Sequence, residues 1–277
     1  MQCTQYNYEM KSENSELSYY HQDVHAKQTD NEIDHVPDIN YENLITEDDT
    51  PVDNFFCEKQ LRLLPESLKS SWNREKSYIV AADVGIYEKI PDKPIVPDVF
   101  LSLDVQYADN IWEKKNRCYM IGIFGKPPEL VIEVVSNKVG QENTTKKEKY
   151  ASMGIKYYAI FDPDLHILPT KLYAYQLINN SYILFPKRKE NDCVWFEDLN
   201  IGLTIHDCFF EGVRDKWLRW CDSNGNILLT GIERSEVEKK RADAEKNRAD
   251  TEKNRADALE KELAKLKAQM IEKNKIL

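Results

Sequence analysis

Two strongly apolar runs in the middle of the chain each carry one carboxylate, and they constrain the fold more than any other feature. Asp98 lies in the run Ile95–Leu101, and Glu133 lies in the run Leu130–Ser136. Both runs have the length and composition of buried β-strands. Because side chains alternate along a strand, Glu133 shares its face with two valines. A carboxylate on an apolar face is costly unless it is paired or bound to a metal, so the pattern predicts a partner for Glu133.

The acidity of the chain is confined to its first 53 residues. The formal net charge is −10, yet residues 1–53 hold thirteen Asp or Glu against two Lys, which leaves the rest of the chain near +1. This segment has no glycine and no sustained hydrophobic periodicity, so we predict a disordered acidic arm over residues 1–53. The body that follows is not barred electrostatically from a polyanion, although its charge alone gives no argument for nucleic acid.

Hydropathy and cysteine spacing exclude several classes of protein. No apolar run approaches the length of a membrane span, and the first thirty residues are polar and acidic, unlike a secretory signal. We therefore expect a cytoplasmic protein that has no membrane segment. The six cysteines include no C-x-x-C pair, which argues against a zinc site.

The body, residues 54–225, is predicted to form one α/β domain. A helix follows Asn54 and is expected to end near Pro65. The next elements are predicted as strands at 78–87, 95–104 and 130–135, a helix at 142–153 and a strand at 157–161. Beyond them, Asn179-Asn180 separates two apolar runs and predicts a β-hairpin.

The C-terminal segment, residues 232–277, repeats with a period of seven. Three successive units begin with Arg-Ala-Asp, at Arg241, Arg248 and Arg255. The period predicts a long helix that can form a left-handed coiled coil. Two interpretations stay open: a weak homodimer through this helix, or a solitary charged helix held by i,i+4 pairs. The seam of the coil improves towards the end of the chain, at Ala256, Leu259, Leu263, Leu266 and Met270.

Asp98 and Glu133 are the side chains expected to bind Mg²⁺ if their strands are neighbours. This ion prefers hard oxygen ligands and usually takes one or two carboxylates together with phosphate oxygens. It would activate a water for attack on a phosphodiester and neutralise charge on the phosphate. A cation beside the nucleophile is also expected, and Lys146 on the following helix is the first candidate. Three other lysines are rivals for this role: Lys138, Lys147 and Lys149.

Each of the three residues also has a purely structural explanation. Asp98 alone suits a turn after Pro97. Glu133 could form a structural salt bridge with a nearby lysine, and Lys146 alone suits a solvated helix surface. Only the three together, in this order, favour a functional site.

Four stretches of the sequence occur in a specific order and spacing: 96–104, 125–138, 146–158 and 161–163. Together they resemble the Uma-type restriction endonuclease family of cyanobacterial type, within the PD-(D/E)XK nuclease superfamily. The resemblance extends from about Asn54 to Asp222, and the Arg-Ala-Asp heptads are similar to tails on members of this family. No single stretch carries the resemblance; the ordered set does.

The resemblance implies a restriction-endonuclease-like αβββαβ core with a mixed sheet and a site on its central strands. It implies that Asp98 and Glu133 bind Mg²⁺, with Mn²⁺ as a substitute. Val135 stands where the superfamily pattern has lysine, and the resemblance implies that Val135 offers its backbone carbonyl to the metal. The resemblance further implies that the lysine has moved to the helix, where Lys146 fits the Lys-x-x-x-Tyr spacing. Glu58 on the first helix is a weaker additional candidate.

The activity expected from this resemblance is Mg²⁺-dependent endonucleolytic hydrolysis of DNA, with DNA as partner. The alternative is a catalytically inactive nuclease fold that serves as a nucleic-acid-binding or scaffold module. The absence of lysine at position 135 leaves that alternative open, whereas the retention of Asp98, Glu133 and Lys146 together argues against it.

Overall fold

A computed structural model describes residues 54–89, 93–138, 142–188 and 192–274 of the 277-residue chain. The predicted acidic arm, residues 1–53, lies outside these ranges. Four α-helices occur in them: α1 (Phe55–Ser71), α2 (Ile121–Phe124), α3 (Thr145–Ser152) and α4 (Gly231–Asn274). The strands in the same ranges are β1 (Tyr78–Ala82), β2 (Ile86–Tyr87), β3 (Val99–Leu103), β4 (Tyr119–Met120), β5 (Leu130–Val134), β6 (Tyr157–Phe161), β7 (Leu172–Ile178), β8 (Ser181–Leu184), β9 (Val194–Phe196), β10 (Ile201–Phe210) and β11 (Val213–Cys221).

Six strands form the main sheet, in the order β1-β3-β5-β6-β7-β8. The pairs β1–β3 and β3–β5 are antiparallel, whereas β5 and β6 are parallel. A parallel pair needs a crossover connection, and α3 lies in that connection. The series α1, β1, β3, β5, α3 and β6 is the predicted αβββαβ core with a mixed sheet, so the predicted fold class is confirmed.

The main sheet separates two apolar clusters. Leu130 and Ile132 of β5 pack with side chains of α1 on one face. Val131 lies on the opposite face with Tyr150 of α3. Glu133 follows the alternation of Val131 and is fully buried. A carboxylate therefore lies beneath α3, in the apolar surroundings that its position in the sequence predicted.

Residues with positive φ form the turns of two β-hairpins. Asn179 and Asn180 have φ of 48° and 62° and connect β7 to β8, which confirms the predicted hairpin. Glu211 and Gly212 have φ of 46° and 78° and connect β10 to β11. Positive φ at both central positions is the requirement of a type I′ turn, whose twist matches that of the strands.

A second, three-stranded sheet of β9, β10 and β11 packs against α1. The buried Gln60 side chain bonds both backbone groups of Leu218: it donates to the carbonyl at 3.0 Å and accepts from the N–H at 2.9 Å. The Trp220 indole N–H donates to the Leu64 carbonyl at 2.9 Å. These bonds leave the groups satisfied in an apolar environment, so α1 is fixed against this sheet as well as against the main one.

The first turn of α4 is part of the folded body. Thr230 and Glu233 form a capping box, in which the Thr230 N–H donates to the Glu233 carboxylate at 2.7 Å and the Glu233 N–H donates to the Thr230 hydroxyl at 3.2 Å. The same carboxylate accepts from the fully buried Arg219 guanidinium at 2.7 Å.

None of the helices in the described ranges is both long and apolar enough to cross a membrane.

Removing this first turn should destabilise the domain. Truncation after Gly231 deletes Glu233 and leaves the Arg219 charge buried without its carboxylate, which should lower the free energy of unfolding by about 3 kcal/mol. Truncation after Lys240 keeps the pair and should leave the stability unchanged. Denaturant unfolding of both truncations measures this difference. In the full chain, Glu233→Gln is compared in the same way with the exposed control Glu236→Gln. Equal stability of the two truncations would contradict it.

Candidate functional site

The register of β3 and β5 brings Asp98 and Glu133 together. Val99 pairs with Ile132, and one further step in this antiparallel register sets Asp98 opposite Glu133. The Val134 N–H donates to Asp98 Oδ2 at 2.5 Å. The two carboxyl groups are close enough that the charge of Asp98 raises the pKa of Glu133. The two strands are therefore neighbours, as a shared metal site requires.

Two side chains of α3 contact the two oxygens of Glu133. Lys146 Nζ lies 2.8 Å from Oε2, and the Tyr150 hydroxyl donates to Oε1 at 2.5 Å. Residues four apart lie on one face of a helix, so the Lys-x-x-x-Tyr spacing directs both groups to the same carboxylate. Lys146 keeps 30% of its side chain exposed, whereas Glu133 has none. The site is thus open to solvent on the side of the lysine.

Burial raises the pKa of both carboxyl groups, and the charge of Asp98 raises that of Glu133 further. Burial, followed by the charge of Asp98, raises the pKa of Glu133 to about 8. Burial also raises the pKa of Asp98, against the opposing effect of the Val134 N–H. For Lys146, burial lowers the pKa, but the attraction of Glu133 outweighs it and the net shift is upward. Two carboxylates in such a buried setting would be stabilised by a cation placed between them.

This shift predicts how stability depends on pH in the metal-free protein. Glu133 keeps its proton in the folded state up to about pH 8 but loses it in the unfolded state near its ordinary value of 4.5. The stability it contributes is therefore fully present below pH 4.5 and is lost as the pH rises through about 8. In EDTA, Glu133→Gln should melt higher than the wild type at pH 9, with a smaller difference at pH 5. Thermal melts at both values test this, and the exposed Glu148→Gln should track the wild type.

The rival lysines lie elsewhere. Lys147 Nζ lies 3.6 Å from the centre of the Tyr175 ring. Lys149 pairs with Glu88 at 3.0 Å. Lys138 is exposed. Of the four lysines considered, Lys146 is thus the one that contacts Glu133.

Val135 and Glu58 occupy different surroundings. Val135 follows the last residue of β5, and its N–H donates to the Phe161 carbonyl at 2.8 Å. Its side chain is buried in the same apolar cluster as Tyr150. Glu58 is exposed and forms an ion pair with Arg62 on α1. Glu58 therefore has the surroundings of an ordinary charged residue on the surface of α1.

Glu142 is a third carboxylate at the site, and the sequence analysis did not single it out. It lies in the turn before α3, with Oε1 4.0 Å from Lys146 Nζ. Its Oε2 is buried and has no hydrogen-bond partner among the residues that the structure describes. The spacing of four between Glu142 and Lys146 is a signal that could have identified it. In the described ranges no group of three His, Cys, Asp or Glu side chains forms a ready metal cluster, so the site offers a carboxylate pair with Glu142 alongside.

Comparison with known families places this geometry in context. The family Uma2, described as "Putative restriction endonuclease", matches residues 50–184. The matched segment is just under half of the chain. A crystal structure of a putative nuclease belonging to DUF820 from Anabaena variabilis ATCC 29413 is similar, with 15% identity over 49% of this chain and 69% of that chain and a TM-score of 0.35. No curated protein sequence matches the chain.

The Uma2 match contains the whole of the site. It ends at Leu184, which is also the last residue of β8. Asp98, Glu133, Lys146 and Glu142 all lie within it, whereas the β9–β11 sheet and α4 lie beyond. The segment that matches Uma2, called the Uma2 domain below, therefore contains the carboxylate pair. The β9–β11 sheet, which follows it in the sequence, packs against α1.

Proposed function

We propose that the Uma2 domain is an endonuclease that hydrolyses DNA phosphodiester bonds with Mg²⁺, a role that Mn²⁺ also fills. The observation that carries the proposal is the fully buried Glu133 beside Asp98, with Lys146 bonded to it at the solvent side. Two adjoining carboxylates suit the chemistry of phosphoryl transfer when one partly exposed cation lies next to them, as Lys146 does here.

The oxygens present fit a hard divalent cation. Asp98 and Glu133 supply two carboxylates, which is the number that Mg²⁺ usually takes from a protein when phosphate and water complete its shell. The unpartnered, buried Glu142 Oε2 is an acceptor that nothing in the described residues satisfies. When bound, Mg²⁺ supplies positive charge to the phosphate and acidifies a water. We assign Asp98, Glu133 and the Val135 carbonyl to hold it.

The residues of the chain have separate tasks in this proposal. The Val134 N–H orients Asp98, and the Tyr150 hydroxyl orients Glu133, so neither carboxylate has to reorganise. Lys146 extends from α3 on a flexible stem and can turn its ammonium from Glu133 towards a phosphate oxygen. There it stabilises the negative charge that develops on the phosphate. Glu142 lies beside Lys146 and limits where the ammonium rests in the absence of substrate.

An aromatic cleft beside the site supports a nucleic acid as the substrate. Phe100, two residues after Asp98 and on the same side of the chain, lines a cavity of about 700 Å³. Tyr119 and Phe124 stack in its wall with ring centres 4.3 Å apart, and Trp112 at its edge is 77% exposed. Arg117 adds a cation. Phe100 and Tyr119 are buried, and the exposed Trp112 ring near this cation is the kind of surface on which an unstacked base can stack.

Metal binding tests the proposal apart from cleavage. Titration with Mn²⁺, followed by calorimetry, should give one site in the wild-type protein. Asp98→Asn should abolish this binding, because it removes one of two charged ligands. Glu148→Gln, an exposed change on α3, should leave it intact. Equal Mn²⁺ affinity in Asp98→Asn and the wild type would refute the assignment of the metal site.

The alternative, an inactive nuclease fold that binds nucleic acid or serves as a scaffold, makes a different prediction. The Lys146–Glu133 ion pair would then be structural only. DNA would still bind in EDTA, but neither Mg²⁺ nor Mn²⁺ would lead to cleavage. The same protein preparation distinguishes these outcomes when binding and cleavage are measured side by side.

A further inference from the structure

The long helix α4 presents an apolar stripe that nothing in the described structure covers. Every side chain from Arg234 to Met270 is exposed. Four large apolar residues in the last part of this stretch are each more than half exposed: Leu259, Leu263, Leu266 and Met270. Their spacing of four, three and four places them on one face, as the a and d positions of a heptad. An exposed stripe of this kind is the seam of a coiled coil.

The helix does not stabilise itself through its own charges. Within its described part, no ion pair joins two side chains of α4; the pair formed by Glu233 is with Arg219, outside the helix. The interpretation of α4 as a solitary helix held by i,i+4 pairs therefore lacks the contacts it requires. The charges that flank the stripe remain available to a partner.

Those flanking charges match a second copy of the same helix in parallel orientation. With Ala256 at an a position, Arg255 and Glu262 are g positions, while Glu260 and Lys267 are e positions. In a parallel pair each g residue faces the e residue five positions later in the other chain. Arg255 then faces Glu260, and Glu262 faces Lys267. The two-fold symmetry doubles both contacts, so all four charge pairs are attractive.

The heptads of α4 that precede Arg255 oppose pairing with a second copy of the helix. There the g positions are Arg241 and Arg248, and the e residues they would face are Lys246 and Lys253. The d positions carry glutamates instead of leucine. Like charges across the seam, with almost no apolar area to bury, oppose association. Pairing is therefore confined to the last third of α4.

We propose that residues 255–270 of α4 form a parallel two-stranded coiled coil with a second copy of this chain. Parallel orientation places the two domains at the same end of the coil. The unpaired part of each α4, about 20 residues or roughly 30 Å, forms an arm between domain and coil. The self-association stands without the nuclease proposal. If that proposal holds, the arrangement supplies two sites to one duplex, one for each strand.

Charge reversal in the full chain tests both the partner and the orientation. The e-reversed variant carries Glu260→Lys and Lys267→Glu; the g-reversed variant carries Arg255→Glu and Glu262→Arg. Each makes all four parallel contacts repulsive in its own homodimer, and its dissociation constant should rise by about a hundredfold. A mixture of the two variants restores all four attractive contacts. Sedimentation velocity of the wild type, each variant and the equimolar mixture measures this.

The outcomes are distinct. The proposal expects a concentration-dependent wild-type dimer, two monomeric variants and a dimer in the mixture, with circular dichroism reporting equal helix content in all. An antiparallel pair would set residue 260 against residue 267, and the e-reversed variant keeps that pair attractive. If the e-reversed variant forms a dimer in the absence of the g-reversed variant, the parallel orientation is therefore wrong. A wild-type chain that stays monomeric at high concentration would overturn the proposal as a whole.

Discussion

Replacing Asp98 by Asn or Glu133 by Gln should reduce Mg²⁺-dependent cleavage of plasmid DNA by about a thousandfold. Both carboxylates are proposed metal ligands, and their strands hold them opposite each other. Neither change should unfold the protein, because burial disfavours the charged form of both carboxyl groups and an amide of similar shape is uncharged. Cleavage rates and melting temperatures of the two variants, in parallel with Glu148→Gln, measure both effects. Variants that cleave at the wild-type rate would refute the site.

Lys146→Ala should lower the cleavage rate by about a hundredfold, the usual effect of removing a group that stabilises developing charge. Lys147→Ala and Lys149→Ala should have smaller effects, because the first lysine lies over the Tyr175 ring and the second pairs with Glu88. A structural ion pair would lose stability, whereas a catalytic lysine also loses rate at a temperature where every variant is folded. Single-turnover rates at such a temperature separate the two. A severe loss in Lys147→Ala with none in Lys146→Ala would show that the wrong lysine of α3 was chosen.

The position of the carboxylate pair could be predicted from sequence because strand alternation is a local property. Glu133 stands between two valines of one face, and a buried carboxylate requires a partner. The Lys-x-x-x-Tyr spacing is equally local, since residues four apart share one helix face. The structure brings Lys146 and Tyr150 to the same carboxylate by that rule. Whether these residues bind metal and cleave DNA stays a prediction.

Tertiary packing overrode two other expectations. The helix α1 continues past Pro65, because the flanking Leu64 and Leu68 are fully buried and fix the helix against the sheets. The strand predicted over 78–87 is interrupted after Ala82. Asp83 adopts a positive φ of 55°, and its N–H donates to the Asp98 carbonyl at 3.1 Å. β2 then pairs with β4 in a separate two-stranded sheet.

Long-range pairs could not be predicted from local patterns. Arg219 and Glu233 are fourteen residues apart in the sequence, on a strand and a helix whose packing the sequence did not specify. The capping-box pattern at Thr230 and Glu233 was available as a local signal for the start of α4. It did not indicate that the same glutamate also neutralises a buried arginine. The first turn of α4 is therefore a structural part of the body, while the rest of the helix extends from it.

The most direct test of the central claim is a plasmid-nicking assay with the purified full-length chain. Supercoiled DNA is incubated with Mg²⁺, with Mn²⁺ or with EDTA, and Glu133→Gln, purified identically, excludes a contaminating nuclease. We expect nicked and then linear DNA in either metal ion, intact supercoiled DNA in EDTA, and intact DNA with the variant. Supercoiled DNA that survives in both metal ions while the wild-type protein is folded and metal-loaded would contradict the account. Equal nicking by the wild type and Glu133→Gln would contradict it as well.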